Sequence, residues 1–148
     1  MKRILWIEDE GKIQLIQYKT VLVRGGYIVD IASDATEALQ QLRGGKKYDA
    51  IIFDLNIPCG TEFETDNPYV GLELLRMLIE KKFENVSEYD PAKMMVFTVV
   101  NEDAILNEIR SLGVKSILNK RLTELPDFKN HVDGLFNKLN GKTDETQI

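Results

Sequence analysis

The sequence predicts an α/β fold in which five parallel strands form one doubly wound sheet with helices on both faces. Three observations carry that prediction. Short apolar runs rich in β-branched residues recur five times along the chain. Stretches with the 3.6-residue spacing of amphipathic helices separate them. The full length of 148 residues leaves room for one such domain and little else. Strands that alternate with helices of this length pair in parallel through right-handed crossovers, which places helices on both sides of the sheet.

The elements follow in order. Ile4–Ile7 reads as the first buried strand, and a helix from about Glu10 to Arg24 stops at Gly25-Gly26. Ile28–Ala32 is the second strand. Asp34 and Glu37 form a capping box ahead of Ala35, Ala38, Leu39 and Leu42, whose i, i+3, i+4, i+7 spacing marks the second helix. Ala50–Phe53 is the third strand, followed by a helix from about Tyr69 through Leu72, Leu75 and Ile79. Met94–Val100 is the fourth strand, and Ile105, Ile109 and Leu112 define a helix ended by Gly113. Val114–Leu118 is the fifth strand, and Phe128, Val132, Leu135, Phe136 and Leu139 line the last helix. The expected domain covers residues 1–140, with 141–148 as a polar tail.

Composition narrows the function. A chain with 43% hydrophobic and 29% charged residues is expected to be soluble and globular. A net charge of −5 argues against binding nucleic acid by bulk electrostatics. Cys59 is the single cysteine, which excludes an internal disulfide and suits a reducing compartment. Met1-Lys2-Arg3 is a basic start, but the apolar run after it ends at Glu8, too short for a signal peptide. No run approaches the roughly 20 apolar residues of a membrane span. A cytoplasmic location without membrane contact is therefore expected.

In a sheet of this kind the ligand site lies beyond the carboxyl ends of the strands, near the point where strand order reverses. Strand one ends in Glu8-Asp9, strand three in Asp54 and strand four near Thr98, while Lys120 follows strand five. Carboxylates placed side by side repel one another and are normally tolerated only beside a cation. Oxygen-only ligands suit a hard ion such as Mg²⁺, which pairs one or two carboxylates with a phosphate oxygen. An aspartate beside such an ion can attack phosphorus while a lysine and a hydroxyl steady the equatorial oxygens. Each residue alone has a plainer reading. Glu8-Asp9-Glu10 would be an acidic helix start, Asp54 a turn cap, Thr98 a strand residue and Lys120 a solvated surface lysine. Their joint placement outweighs these. His131 and Cys59 receive no role, and Phe128, Leu135 and Phe136 read as core.

The motifs I-L-W-I-E-D-E at Ile4–Glu10, Y-D-A-I-I-F-D-L-N-I-P at Tyr48–Pro58, V-F-T at Val96–Thr98, G-L-E-L-L at Gly71–Leu75 and Asn119-Lys120 together resemble the response-regulator receiver (CheY-like) family of two-component signalling. The resemblance runs from strand one through helix five and implies the flavodoxin-like form of the fold. It also implies roles by position. Asp54 would accept the phosphoryl group, Asp9 would ligate Mg²⁺, Glu8 would act through a metal-bound water, and the Asn56 carbonyl would complete the protein ligands. Thr98 and Lys120 would hold the phosphoryl oxygens. The donor would be a sensor histidine kinase or phosphotransfer protein, because the chain has no glycine-rich nucleotide loop. Such a protein catalyses its own phosphorylation and dephosphorylation, has no separate substrate, and signals to a downstream protein or through a homodimer.

Four departures from the family pattern stand out. Arg121 occupies the place of a proline with a cis bond before it, and a trans bond is expected because a non-proline cis bond costs roughly 3 kcal/mol. Ile117 replaces the usual strand-five aromatic, and Val99 a very small residue, which should narrow access to the phosphoryl group and slow its turnover. Residues 59–70 form an insertion carrying Glu62, Glu64 and Asp66, expected to overhang the site. These departures keep a second reading open, a degenerate receiver that binds proteins without phosphorylation. A phosphatase with an aspartate nucleophile is disfavoured, since Asn56 stands where its general acid would be.

Overall fold

The structure is a computed structural model that describes residues 1–9 and 15–137. Its elements alternate without exception: β1 (Arg3–Ile7), α1 (Ile16–Arg24), β2 (Ile28–Ala32), α2 (Ala35–Arg43), β3 (Ala50–Phe53), α3 (Val70–Ile79), β4 (Met94–Thr98), α4 (Asp103–Ser111), β5 (Ser116–Asn119) and α5 (Leu125–Phe136), with one short 3₁₀ turn at Pro91–Lys93 before β4. All strand pairs are parallel, in the order β2-β1-β3-β4-β5. The chain winds outward from β1 in one direction to β2 and in the other through β3, β4 and β5. Strand order therefore reverses between β1 and β3, and the crevice at their carboxyl ends opens there.

Every residue of β3 and β4 is buried, as expected of strands covered on both faces. Side chains alternate across the sheet. Leu5, Ile7, Ile51, Phe53 and Val96 meet α2, α3 and α4 on one face, while Ile4, Trp6, Ile52, Met95 and Phe97 meet α1 and α5 on the other. The second face is aromatic. Trp6, the single tryptophan, is fully buried with its ring centroid 5.6 Å from that of Phe128 and 6.2 Å from that of Phe97.

The sequence boundaries hold to within a few residues, and each shift has a local cause. β4 ends at Thr98 and not at Val100, because the Val100 N–H turns back to the Thr98 hydroxyl at 3.3 Å. β5 begins at Ser116 instead of Val114: Val114 N–H still bonds Ile109 O, finishing the end of α4. The described part of α1 starts at Ile16, while the expected start at Glu10, the Leu139 position of the last helix and the 141–148 tail lie outside the described residues. The capping box ahead of α2 is half formed, with Asp34 Oδ1 accepting from Glu37 N at 2.7 Å. Asp34→Ala leaves that N–H without its acceptor and is expected to lower stability by about 1 kcal/mol in urea unfolding.

The insertion has a firm anchor at its start. It is anchored beside α2, where the buried Thr36 hydroxyl donates to Cys59 O and accepts from Glu62 N and Phe63 N. Ala35 N and Thr36 N, two helix-start donors that lack intrahelical partners, bond Pro58 O and Cys59 O. Gly60 sits at φ +81°, and a Cβ there would meet the Thr36 side chain at 2.6 Å, so the turn needs glycine. Phe63 is buried against Phe83, and Glu62, Glu64 and Asp66 face solvent.

Candidate functional site

Three of the polar residues at the crevice are set by hydrogen bonds that extend the sheet one residue past a strand end. Glu8 N bonds Ala32 O at 2.8 Å, Asp54 N bonds Ile7 O at 3.0 Å, and Lys120 N bonds Thr98 O at 2.9 Å. Backbone positions fixed this way deliver side chains from β1, β3 and β5 to one point. Thr98, the last residue of β4, supplies the fourth.

At that point Asp54 is held through both carboxylate oxygens. Oδ1 accepts from the Thr98 hydroxyl at 2.9 Å and from Asn56 N at 3.2 Å, and Oδ2 accepts from Lys120 Nζ at 2.6 Å. Lys120 Nζ also lies 2.7 Å from Glu8 Oε1. Glu8 is 0%, Thr98 1% and Asp54 4% exposed, and the Lys120 side chain 9%. Burial on its own would push the Lys120 ammonium toward neutrality. Its hydrogen bonds to Asp54 and Glu8 outweigh that and hold it above the ordinary lysine value. The cation that the carboxylates need is thus, in this arrangement, the protein's own lysine.

Asp9 is exposed just past the end of β1, and Glu10 lies outside the described residues. Among the described residues no three acidic, histidine or cysteine side chains are grouped as a metal-ligand set. The donors nearest the crevice, the carboxylates of Glu8, Asp9 and Asp54 with the Asn56 carbonyl, are nevertheless all oxygens, which is the chemistry of a hard divalent cation.

The bond before Arg121 is trans, as expected. Asn119 explains how the loop closes without a proline. Its Oδ1 accepts from Arg121 N at 2.8 Å, and its backbone carbonyl accepts from Leu122 N and from the Thr123 hydroxyl. A proline at 121 has no N–H to give. Ile117 pairs with Val96 in the β4–β5 ladder and is half-buried against the α2–α4 face. His131 is exposed on α5 and Cys59 half-buried in the insertion.

The sequence pattern missed one residue of the site. Gly71, in the first turn of α3, donates its N–H to Leu55 O, and a Cβ built there would lie 2.0 Å from the carbonyl oxygen of Asp54. The helix start is packed directly on the backbone of the central aspartate. A glycine opening an otherwise strong helix, where its conformational entropy is a cost, was the available signal.

Comparison with solved structures bears on this arrangement. A response regulator receiver domain protein (CheY-like) from Methanospirillum hungatei JF-1 superposes with a TM-score of 0.66 at 22% identity, over 98% of each chain. A two-component response regulator from Clostridium difficile gives 0.70 at 21% identity, over 95% of this chain and 99% of that one. The chain has the receiver fold. A third neighbour, a response regulator from Burkholderia pseudomallei solved with a phosphorylated aspartic acid, a calcium ion and citrate, matches at 0.65 and 20% identity over 99% of this chain and 73% of that one. No family model and no curated protein matches the chain. Among the described residues, no helix of this receiver fold is long and apolar enough to cross a membrane.

Proposed function

We propose that this chain is a receiver that accepts a phosphoryl group on Asp54 from a sensor histidine kinase or phosphotransfer protein and passes the resulting state on by protein contact. The observation that carries the reading is the hold on Asp54. A hydroxyl and a buried ammonium grip a carboxylate at the strand-order reversal, which are the groups that a phosphoryl unit on that carboxylate would need around its oxygens.

In the transfer, a carboxylate oxygen of Asp54 forms the new O–P bond while the P–N bond to the donor imidazole breaks. The imidazole leaves with the electron pair and returns to its neutral form. Lys120 and Thr98 are placed to stabilise the charge on the equatorial oxygens. The all-oxygen donor set of Glu8, Asp9, Asp54 and the Asn56 carbonyl fits Mg²⁺, which when bound would supply further positive charge beside the phosphoryl oxygens. Lys120 pairs with both Glu8 and Asp54, which holds the two side chains in place before any donor arrives.

The test is incubation with acetyl phosphate and Mg²⁺ followed by intact mass. The wild type is expected to gain one phosphoryl group, and Asp54→Ala none. A gain that persists in the alanine variant, or no gain in the wild type, rejects acceptance at Asp54. The second of these outcomes favours a module that binds partners without phosphorylation.

A further inference from the structure

We infer that the hydrogen bond between Tyr69 and Glu102 reports the state of Asp54, taking the part that a strand-five aromatic would otherwise play. The inference rests on phosphoryl acceptance at Asp54 and adds how that event reaches the surface.

Tyr69 closes the insertion immediately before α3, and its hydroxyl donates to Glu102 Oε1 at 2.7 Å. Glu102 is the N-cap residue of α4, so the contact joins the starts of two neighbouring helices across the β4–α4 connection. Its two ends are tied to Asp54 by different routes. On the Tyr69 side, Gly71 is two residues along, bonded to Leu55 O and packed so closely on the Asp54 carbonyl that no Cβ fits. This end is fixed to the Asp54 backbone. On the Glu102 side, the Thr98 hydroxyl donates to Asp54 Oδ1 and accepts from Val100 N, two residues before Glu102. This end is tied to the Asp54 side chain.

A phosphoryl group on Asp54 changes only the second route. It converts the carboxylate into a mixed anhydride, whose remaining acyl oxygen is a weaker acceptor, and adds three strong acceptor oxygens further out. The Thr98 hydroxyl has one proton to donate, and re-aiming it takes away or moves the acceptor of Val100 N–H. The segment from Val100 to Glu102 then shifts while Tyr69 stays with the backbone of Asp54, and the Tyr69–Glu102 bond opens. One exposed hydrogen bond is weak enough for a local event to tip. Ile117, with no hydroxyl and no ring, offers Thr98 no such partner on β5.

The experiment uses the full chain with ¹³Cζ-labelled tyrosine, the Tyr69 resonance being assigned with Tyr69→Phe. In the unphosphorylated protein, Thr98→Val is expected to move the Tyr69 signal toward that of a solvent-exposed tyrosine, while Thr98→Ser keeps it at the wild-type position. With acetyl phosphate and Mg²⁺, the wild-type signal is expected to move the same way in proportion to the phosphorylated fraction read by intact mass. A Tyr69 signal that ignores Thr98→Val overturns the inference whether or not Asp54 is modified. So does a signal that stays put in protein shown by mass to carry the phosphoryl group. Absence of any mass gain rejects acceptance at Asp54 instead, and the Thr98→Val arm still decides the coupling.

Discussion

Lys120→Met is expected to lower stability at neutral pH by about 3 kcal/mol, the cost of breaking a buried ion pair by removing one partner. The methionine keeps the length and most of the volume, so the loss isolates the charge. Glu8 Oε1 and Asp54 Oδ2 both lie within hydrogen-bond distance of the same nitrogen, and without it two buried like charges face one another. At least one carboxyl group then has a folded-state pKa raised above its unfolded value. The folded state binds the extra proton, so the variant regains stability as pH falls toward about 4, the ordinary carboxyl range. In the wild type the dependence has the same sign but lies at the other end of the scale. Lys120 has a raised pKa when folded, so its stabilisation is complete below about pH 10.4, the unfolded value, and is lost as pH rises through the folded value. The two urea-unfolding profiles should therefore diverge most between these limits. Mg²⁺ should stabilise the variant more than the wild type, because the ion replaces a charge that the wild type already has. Glu8→Gln in the Lys120→Met background should restore most of the loss. A pH-independent difference would show that Lys120 does not couple the two carboxylates.

Gly71→Ala should cost a similar amount by a different mechanism. Its methyl carbon would lie 2.0 Å from Asp54 O and 2.9 Å from both Asp54 C and Leu55 Cα, all backbone atoms that cannot swing aside as a side-chain tip can. Either α3 lifts off the sheet or the backbone that carries Asp54 moves. Overpacking of this kind typically costs 1–3 kcal/mol, and about 3 kcal/mol is expected here. Whatever fraction folds should accept phosphoryl groups poorly, since the displacement acts on the aspartate itself. Gly134→Ala provides the contrast. Nothing lies within 4 Å of its added carbon on the exposed side of α5, so that change should raise stability by about 0.5–1 kcal/mol. Unfolding midpoints and intact-mass phosphorylation of both variants check the pair. Full acceptance by a stable Gly71→Ala protein would rule out the close packing described.

The strands, the helix order and four members of the site were legible in the sequence because each follows a local pattern. Apolar runs mark β1 to β5, and Glu8, Asp54, Thr98 and Lys120 sit at or just beyond the ends of those runs. The rest depended on contacts distant in sequence. That Lys120 would sit between Glu8 and Asp54 needs the register of three strands at once. The Thr36 anchor of the insertion joins segments 23 to 27 residues apart, and a threonine in a first helical turn gives no hint of it. Asn119 stands in a motif, but its work as the acceptor for Arg121 N depends on the turn of the loop after β5, which no local pattern encodes.

The burial of Trp6 gives the molecule a private gauge. The ring lies on the α1–α5 face, stacked among Phe97 and Phe128, while Tyr69 packs on the opposite face with α2, α3 and α4. Tryptophan emission therefore follows the integrity of one half of the core, and the Tyr69 resonance follows events on the other. Folding and signalling can be watched in the same sample by two colours of light and nucleus that do not cross the sheet.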